Sequence, residues 1–161
     1  MCLPTRAYFI RPCRYPLNDV GSRAGQHLPF VQYVVCLAVV AALQEAFSAR
    51  LGNASAASQF SVRIKWPNDI YAITSQDTEP VKIGGILCHS ISRSGEHNVV
   101  VGLGLNVDNS EPTTSVNALL ASAAPQDKTP GAISRGEALA LTLNHLEDFL
   151  AVCSPALCLS S

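Results

Sequence analysis

Val62-Arg63-Ile64-Lys65-Trp66-Pro67-Asn68-Asp69-Ile70-Tyr71 is the stretch on which the reading of the fold turns. Val62 and Ile64 alternate with Arg63 and Lys65, a period-two pattern with β-branched residues that predicts a strand. Pro67 has no N–H to give to a sheet ladder, so regular pairing should stop near Trp66. Asn68 and Asp69 then fall at the strand's exit, where polar side chains can turn toward a cavity. Val81-Lys82-Ile83-Gly84-Gly85-Ile86-Leu87 reads as a second strand. The polar segment Thr74 to Pro80 suits a hairpin loop between them. One hairpin would thus gather Lys65, Asn68, Asp69 and Lys82 beside a glycine pair. Two ammonium groups, a carboxylate and bare backbone suit a phosphate-bearing ligand.

Working outward, the chain has 161 residues, 48% of them hydrophobic and 14% charged, with a formal net charge of −1. That is enough for one domain with a real core, and the composition is that of a globular chain. A balance so close to neutral gives no nucleic-acid footprint. No uninterrupted apolar run reaches the roughly 18 residues of a membrane span, so no membrane partner is expected. Six cysteines are present, none in a CxxC pair, which excludes zinc-ribbon spacing. Cys36 and Cys88 sit in apolar runs and read as small core residues, which fits reduced thiols in the cytoplasm.

Residues 1–20 carry Arg6, Arg11 and Arg14 and no acid before Asp19, a composition that organelle-targeting segments share. Pro4, Pro12 and Pro16 oppose an amphipathic helix, and the alternative is a short strand Ala7–Ile10 followed by loop. From Leu28 to about Leu51, Val34, Leu37, Ala38, Ala41 and Ala42 recur at helical spacing, with Gly52 and Asn53 as the stop. Ser92 to His97 reads as a turn. Asn98 to Val107 is a third strand, in which Gly102 and Gly104 leave room for close approach of a ligand. A short helix is expected over Val116–Ala121. A last helix is capped by Ser134, with Glu137 in a capping-box position and an apolar stripe of Leu139, Leu143, Leu146 and Leu150. The remainder, 151–161, is uncharged and shows no period.

Three ordered segments, KWPNDIY (Lys65 to Tyr71), KIGGIL (Lys82 to Leu87) and VGLGLNV (Val101 to Val107), together resemble the catalytic domain of biotin–protein ligases. This family includes the eukaryotic holocarboxylase synthetases. Gly25 to Leu43 is similar to the helix before the first motif, and Pro112 to Leu120 to the segment after the third. The resemblance runs from about residue 21 to 150. It makes 21–150 a partial catalytic domain, 1–20 a divergent N-terminal segment and 151–161 an unmatched tail.

The resemblance implies an α+β fold: a mixed β-sheet with helices packed on one side, akin to class II aminoacyl-tRNA synthetases and lipoate ligases. It implies an ATP-dependent, AMP-forming ligase that makes biotinyl-5′-adenylate from biotin and ATP with Mg2+. Biotin is then passed to one lysine of a biotin carboxyl carrier domain, the carrier of biotin-dependent carboxylases. A homodimer is among the assemblies it allows. Lys82 matches the essential lysine, and Asp69 the aspartate near the adenylate and the incoming amine. Lys65 and Asn68 match the nucleotide and phosphate side. Gly85 matches a glycine whose backbone faces biotin, and Asn106 the asparagine toward adenine. Trp66, Gly84, Ile86, Gly102 and Gly104 complete the candidate binding residues. No protein ligand for a metal is assigned; Mg2+ would arrive on the ATP phosphates. Fixed cations would stabilise charge on the reacting phosphorus. An aspartate is a weak base at neutral pH, so Asp69 would chiefly position the attacking amine.

Each residue also has a plainer reading. Lys65 and Lys82 suit solvated strand positions, Asp69 a turn, Trp66 a packing platform, and Gly84-Gly85 a bulge. The sequence also lacks a match to the family's glycine- and arginine-rich adenylate loop, near the pattern GRGR. The second expectation is therefore a non-catalytic piece of such a ligase that at most binds a ligand or partner.

Overall fold

The computed structural model describes residues 12–14, 24–52, 60–74, 79–93, 96–109, 113–125 and 129–158. Among the described residues eight elements occur, in the order β1 (Pro12–Arg14), α1 (Ala24–Leu51), β2 (Phe60–Lys65), β3 (Asp69–Thr74), β4 (Val81–Arg93), β5 (Glu96–Leu105), α2 (Val116–Ala123) and α3 (Arg135–Cys158). The fold is α+β, as expected. The five strands form one sheet in the order β1-β5-β4-β3-β2.

Every described pairing is antiparallel. The mixed sheet implied by the resemblance is thus purely antiparallel over these strands. The cause lies in the connections, because β2 to β5 follow one another through short segments. A short turn reverses the chain, whereas a parallel neighbour needs a crossover of a dozen residues or more. The expected hairpin is in fact a meander. Asp69, expected at a strand's exit, and Thr74, expected to open the loop, bound β3, which lies between the two predicted strands where the sequence had suggested no element of its own. Its signal was present in the sequence: Ile70 and Ala72 are buried and alternate with Tyr71 and Ile73, which are not. β4 and β5 run further toward their shared turn than expected, absorbing Ser92, Arg93, Glu96 and His97 into the ladder. The proposed strand Ala7–Ile10 lies outside the described residues.

α1 begins at Ala24, about one turn before the predicted start. Val35, Ala38, Val39, Ala42, Ala46 and Cys36, Leu43, Phe47 are all buried, two interleaved rows at helical spacing. Gly52 ends the helix at φ 78°, donating its N–H to the Ser48 carbonyl at 2.9 Å. Glycine reaches this left-handed conformation without a Cβ penalty. Residues Phe30–Leu51 are long and apolar enough to cross a membrane by length and composition alone. In this fold that apolarity serves the core: α1 lies against β2, β3 and β4, and α3 packs on α1.

The two long helices run antiparallel. Arg50 near the end of α1 forks onto both Glu137 oxygens at 2.8 and 2.9 Å, at the start of α3. Further along, His145 and Glu45 meet at 2.8 Å. Ser134 caps α3 by accepting the Glu137 N–H at 3.1 Å. The other half of the predicted capping box is replaced, since the Glu137 carboxylate is engaged by Arg50. α3 also continues to Cys158, past Leu150, where charge and period had run out in the sequence. Ser115 caps α2 through the Ala118 N–H. From α2, Asn117 holds both backbone groups of Ile133, at 3.1 Å from the carbonyl and 2.8 Å from the N–H.

Candidate functional site on the open face of the sheet

Alternation along the strands divides the sheet into two faces. Val62, Ile70, Ala72, Ile83, Ile86, Cys88, Val101, Leu103 and Leu105 are buried in the core, and α1 packs on β2, β3 and β4. Their neighbours Arg63, Lys65, Asp69, Tyr71, Lys82, Gly85, Leu87, Gly102 and Gly104 therefore face the other way. Among the described residues no helix covers this second face.

The register builds the site row by row. Lys65 is paired with Asp69, Asp69 with Gly85, and Gly85 with Gly104. The next row on β4 and β5 joins Leu87 to Gly102. On the other side, Arg63 is paired with Tyr71, and Tyr71 with Lys82. Lys82 Nζ lies 2.5 Å from Asp69 Oδ1, with the two side chains 48% and 27% exposed. A pair this open to water stabilises the fold little. Its value is positional, because it fixes an ammonium and a carboxylate side by side above bare backbone.

A bulge creates that backbone floor. The β3–β4 register shifts between Ile70 and Tyr71, so that Ile83 is the extra residue between Lys82 and Gly84. Ile83 and Gly84 then both lie on the core side, and Gly85 turns outward. A Cβ on Gly85 would sit 3.2 Å from Asp69 Oδ1 and 3.7 Å from Lys82 Cε. A Cβ on Gly84 would press to 2.8 Å on the Gly104 carbonyl oxygen. The two glycines thus serve different purposes: Gly84 lets β4 and β5 approach, while Gly85 keeps space beside the ion pair.

The turn between β2 and β3 is locked to β4. Asn68 donates its side-chain amide to the Ile86 carbonyl at 2.8 Å, and the Ile86 N–H returns to the Asn68 carbonyl at 2.8 Å. Trp66 and Pro67 are joined by a cis peptide bond. Trp66 is 71% exposed and Leu87 57% exposed. They supply apolar surface on a face otherwise charged or bare, so Trp66 is no core platform here. Lys65 Nζ stands 5.5 Å from the centre of the Tyr71 ring, within cation–π reach. Asn106, just past β5, donates its backbone N–H to the Ile83 carbonyl and its side-chain amide to Thr113 Oγ1, both at 2.8 Å.

The structure therefore brings Lys65, Asp69, Lys82, Gly85, Gly102 and Gly104 onto one face, with Trp66 at its turn. Asn68 and the Ile86 backbone brace that turn. Gly84 and the Ile86 side chain are turned to the core, and Asn106 sits at the far end of β5 from the turn shared with β4. Sequence reasoning gave no role to Tyr71 or Leu87. The period-two pattern that places Lys65 and Lys82 outward also places them.

Beneath the site, burial pushes the Cys36 thiol up to about 12, helped by the nearby Cys88 and Asp69 charges. Such a thiol stays neutral and is no nucleophile at physiological pH. Among the described residues no three of His, Cys, Asp and Glu come together as a metal cluster. A separate cavity of about 450 Å³ is lined by Arg50, Leu51, Ala124, Pro125, Thr129, Pro130 and Gly131, none of them on the open face.

Biotin–protein ligase 1, chloroplastic, of Arabidopsis thaliana is 40% identical over 125 residues, which cover 78% of this chain and 30% of that protein. Biotin–protein ligase 2 of the same plant is also 40% identical over 125 residues, covering 78% of this chain and 34% of the relative. Biotin–protein ligase of Homo sapiens is 35% identical over 99 residues, covering 62% and 12%. The chain thus spans about a third of the length of the plant relatives it matches. The profile of the Biotin/lipoate A/B protein ligase family matches residues 17–106, a span that contains α1, the whole β2–β5 meander and Asn106. With more than half of its length matched, this chain belongs to the Biotin/lipoate A/B protein ligase family.

Proposed function

We propose that the open face of the sheet binds biotin and ATP, forms biotinyl-5′-adenylate, and passes the biotinyl group to a lysine of a carboxylase carrier domain. The observation that carries this reading is the Lys82–Asp69 pair standing over the Gly85–Gly104 floor. The names of the relatives support the choice of biotin.

In the first step a carboxylate oxygen of biotin attacks the α-phosphorus of ATP, and pyrophosphate leaves. Negative charge concentrates on the oxygens of that phosphorus. Lys82 offers a fixed ammonium for it, already held by Asp69, and Lys65 offers a second. Preorganised charge of this kind lowers the barrier because it need not reorient during reaction. The exposed Leu87 and Trp66 give apolar surface for the uncharged part of biotin, and the glycine rows let it lie against backbone. Mg2+ enters this scheme with the ATP phosphates.

In the second step the carrier lysine's amine attacks the acyl carbon, AMP leaves, and the nitrogen loses its proton. Asp69 Oδ1 sits next to Lys82 and can orient an incoming ammonium by hydrogen bonding before it is deprotonated. A carrier domain would approach from the open face, since α1 covers the opposite one. Cys36 and Cys88, both buried thiols, support a reducing, cytoplasmic setting as part of the same proposal.

The test is biotinyl-adenylate formation by the purified 161-residue chain with biotin, ATP and Mg2+, and with Lys82→Ala alongside. Loss of one preorganised donor costs roughly 100- to 1,000-fold. We expect product from the unmutated chain and loss of that order in the variant. A folded chain that makes no product would instead support the second expectation, a domain that binds without adenylating.

A further inference from the structure

The rows of the open face change in chemistry along β4 and β5. Lys82 and Asp69 stand at one end, beside the row that joins Gly85 to Gly104. The next row joins the exposed Leu87 to Gly102, and the one after it joins His89 to Val100. A Cβ on Gly102 would meet only the Leu87 carbonyl oxygen at 3.6 Å, and one on Gly104 only the Gly85 carbonyl oxygen at 3.8 Å, so the space above both glycines is open. Same-face positions on a strand are about 7 Å apart, which sets His89 about 14 Å along β4 from Gly85, with Leu87 midway. His89 is exposed. It makes no hydrogen bond, ion pair or ring contact among the described residues. Nor does it belong to a group of His, Cys, Asp and Glu there that could hold a metal ion. Beyond the glycine floor it is the first polar side chain that the two strands offer on this face.

A ligand laid along these rows meets an ammonium first, then bare backbone beside an aliphatic side chain, then a ring that can give and take hydrogen bonds. Biotin carries its groups in the same order: a carboxylate, a chain of methylenes, and a fused ring bearing a cyclic urea. At C–C bonds of about 1.5 Å the acyl chain spans roughly 5–6 Å and the ring system about as much again. A carboxylate at Lys82 therefore places the urea between Leu87 and His89. We propose that His89 is a further binding residue, which recognises the cyclic urea and so selects biotin over an acyl chain that ends in an apolar ring. This rests on the biotin-adenylating reading and adds to it the group that tells one acid from another. The matched family covers biotin and lipoate alike, and both acids present a carboxylate and methylenes. They differ at the far end. A neutral imidazole donates through one ring nitrogen and accepts through the other, which suits the N–H and C=O groups of a urea. A dithiolane ring supplies neither, so it would take His89 out of water without a partner, and that penalty discriminates against it.

The experiment is calorimetric titration of the full chain with biotin, and with lipoate as the comparison ligand. His89→Leu should weaken biotin binding about fivefold to tenfold, the scale of one hydrogen bond, and should leave lipoate binding unchanged or improve it. His89→Gln keeps a donor and an acceptor and should recover part of the loss for biotin. Thermal melts of both variants should match the unmutated chain, because the position is exposed. In adenylation assays His89→Leu should raise the KM for biotin and leave the KM for ATP unchanged. Biotin bound equally well by His89→Leu, or biotin and lipoate weakened by the same factor, overturns the assignment and leaves the biotin reading standing. A folded, unmutated chain that binds lipoate and no biotin overturns the biotin reading and the assignment with it.

Discussion

The two faces of the sheet are made from the same strands, one residue out of step. On the covered face Ile70, Ile83, Ile86, Val101, Leu103 and Leu105 are removed from water in the core. On the open face Lys65, Asp69, Tyr71, Lys82, Gly85 and Gly104 are set by the same hydrogen-bonded ladder, yet they contribute little apolar burial. Burial of large aliphatic side chains stabilises a fold by about 1.5–3 kcal/mol each, and exposed ion pairs by at most about 1 kcal/mol. One face therefore holds the structure together, and the other is free to carry charge and bare backbone. A substitution should act on stability or on ligand handling according to its face.

The largest expected effect falls on the covered face. Phe47 of α1 is among the largest fully buried side chains. Phe47→Ala should destabilise the fold by about 3–5 kcal/mol through lost transfer energy and an unfilled cavity. Urea unfolding should show a lower midpoint, and any activity that survives below the transition should keep its KM values. A KM for biotin that changes in step with stability would break the division between the faces.

Gly84 and Gly85 sharpen the comparison, because they are adjacent and point opposite ways. Gly84→Ala must push a methyl against the Gly104 carbonyl and Leu105, so overpacking of about 1–3 kcal/mol is expected. For Gly85→Ala the three atoms nearest the new methyl are the Asp69 Oδ1 at 3.2 Å, the Asn68 carbonyl oxygen at 3.6 Å and the flexible Lys82 chain at 3.7 Å. Its stability should change by no more than about 0.5 kcal/mol, as for a surface site. Its biotin affinity should fall roughly tenfold, or about 1.4 kcal/mol. Thermal melts and equilibrium biotin binding on the pair separate the outcomes. Equal loss of stability in both variants would show that Gly85 is structural too.

Much of this division was legible in the sequence, for a definite reason. Period-two alternation at Val62–Lys65 fixes which side chains share a face, and Pro67 fixes where β2 must stop. Ser134 announces a helix start because its hydroxyl can accept a free N–H group of a first turn. β3 was missed because Asp69 and Tyr71 interrupt its apolar positions and the polar residues after it read as loop. The bulge at Ile83 was legible only as an option. Two glycines permit a register shift, and the partner strand decides where it falls. The pairing of Glu137 with Arg50 was out of reach, since it joins residues far apart in the chain through the antiparallel packing of α1 on α3. The roles of Lys82 and Asp69 came from resemblance, and the structure adds that their side chains meet.

The smallest effect expected is at Asp69, and its sign is informative. Asp69→Asn keeps the shape and a hydrogen-bond acceptor but removes the charge opposite Lys82. Because the pair is half open to water, stability should change by no more than about 1 kcal/mol. An uncompensated Lys82 ammonium attracts an anionic ligand more strongly, so ATP and biotin should bind as well as before or up to a few-fold tighter. Transfer to the carrier lysine should slow about threefold to tenfold, because an incoming ammonium then meets one cation without the neighbouring carboxylate. Stopped-flow mixing of preformed biotinyl-adenylate with a carrier domain isolates that step from adenylation. A variant that adenylates poorly but transfers normally would place Asp69 with the phosphate chemistry, and the open face would then have no group assigned to receive the amine.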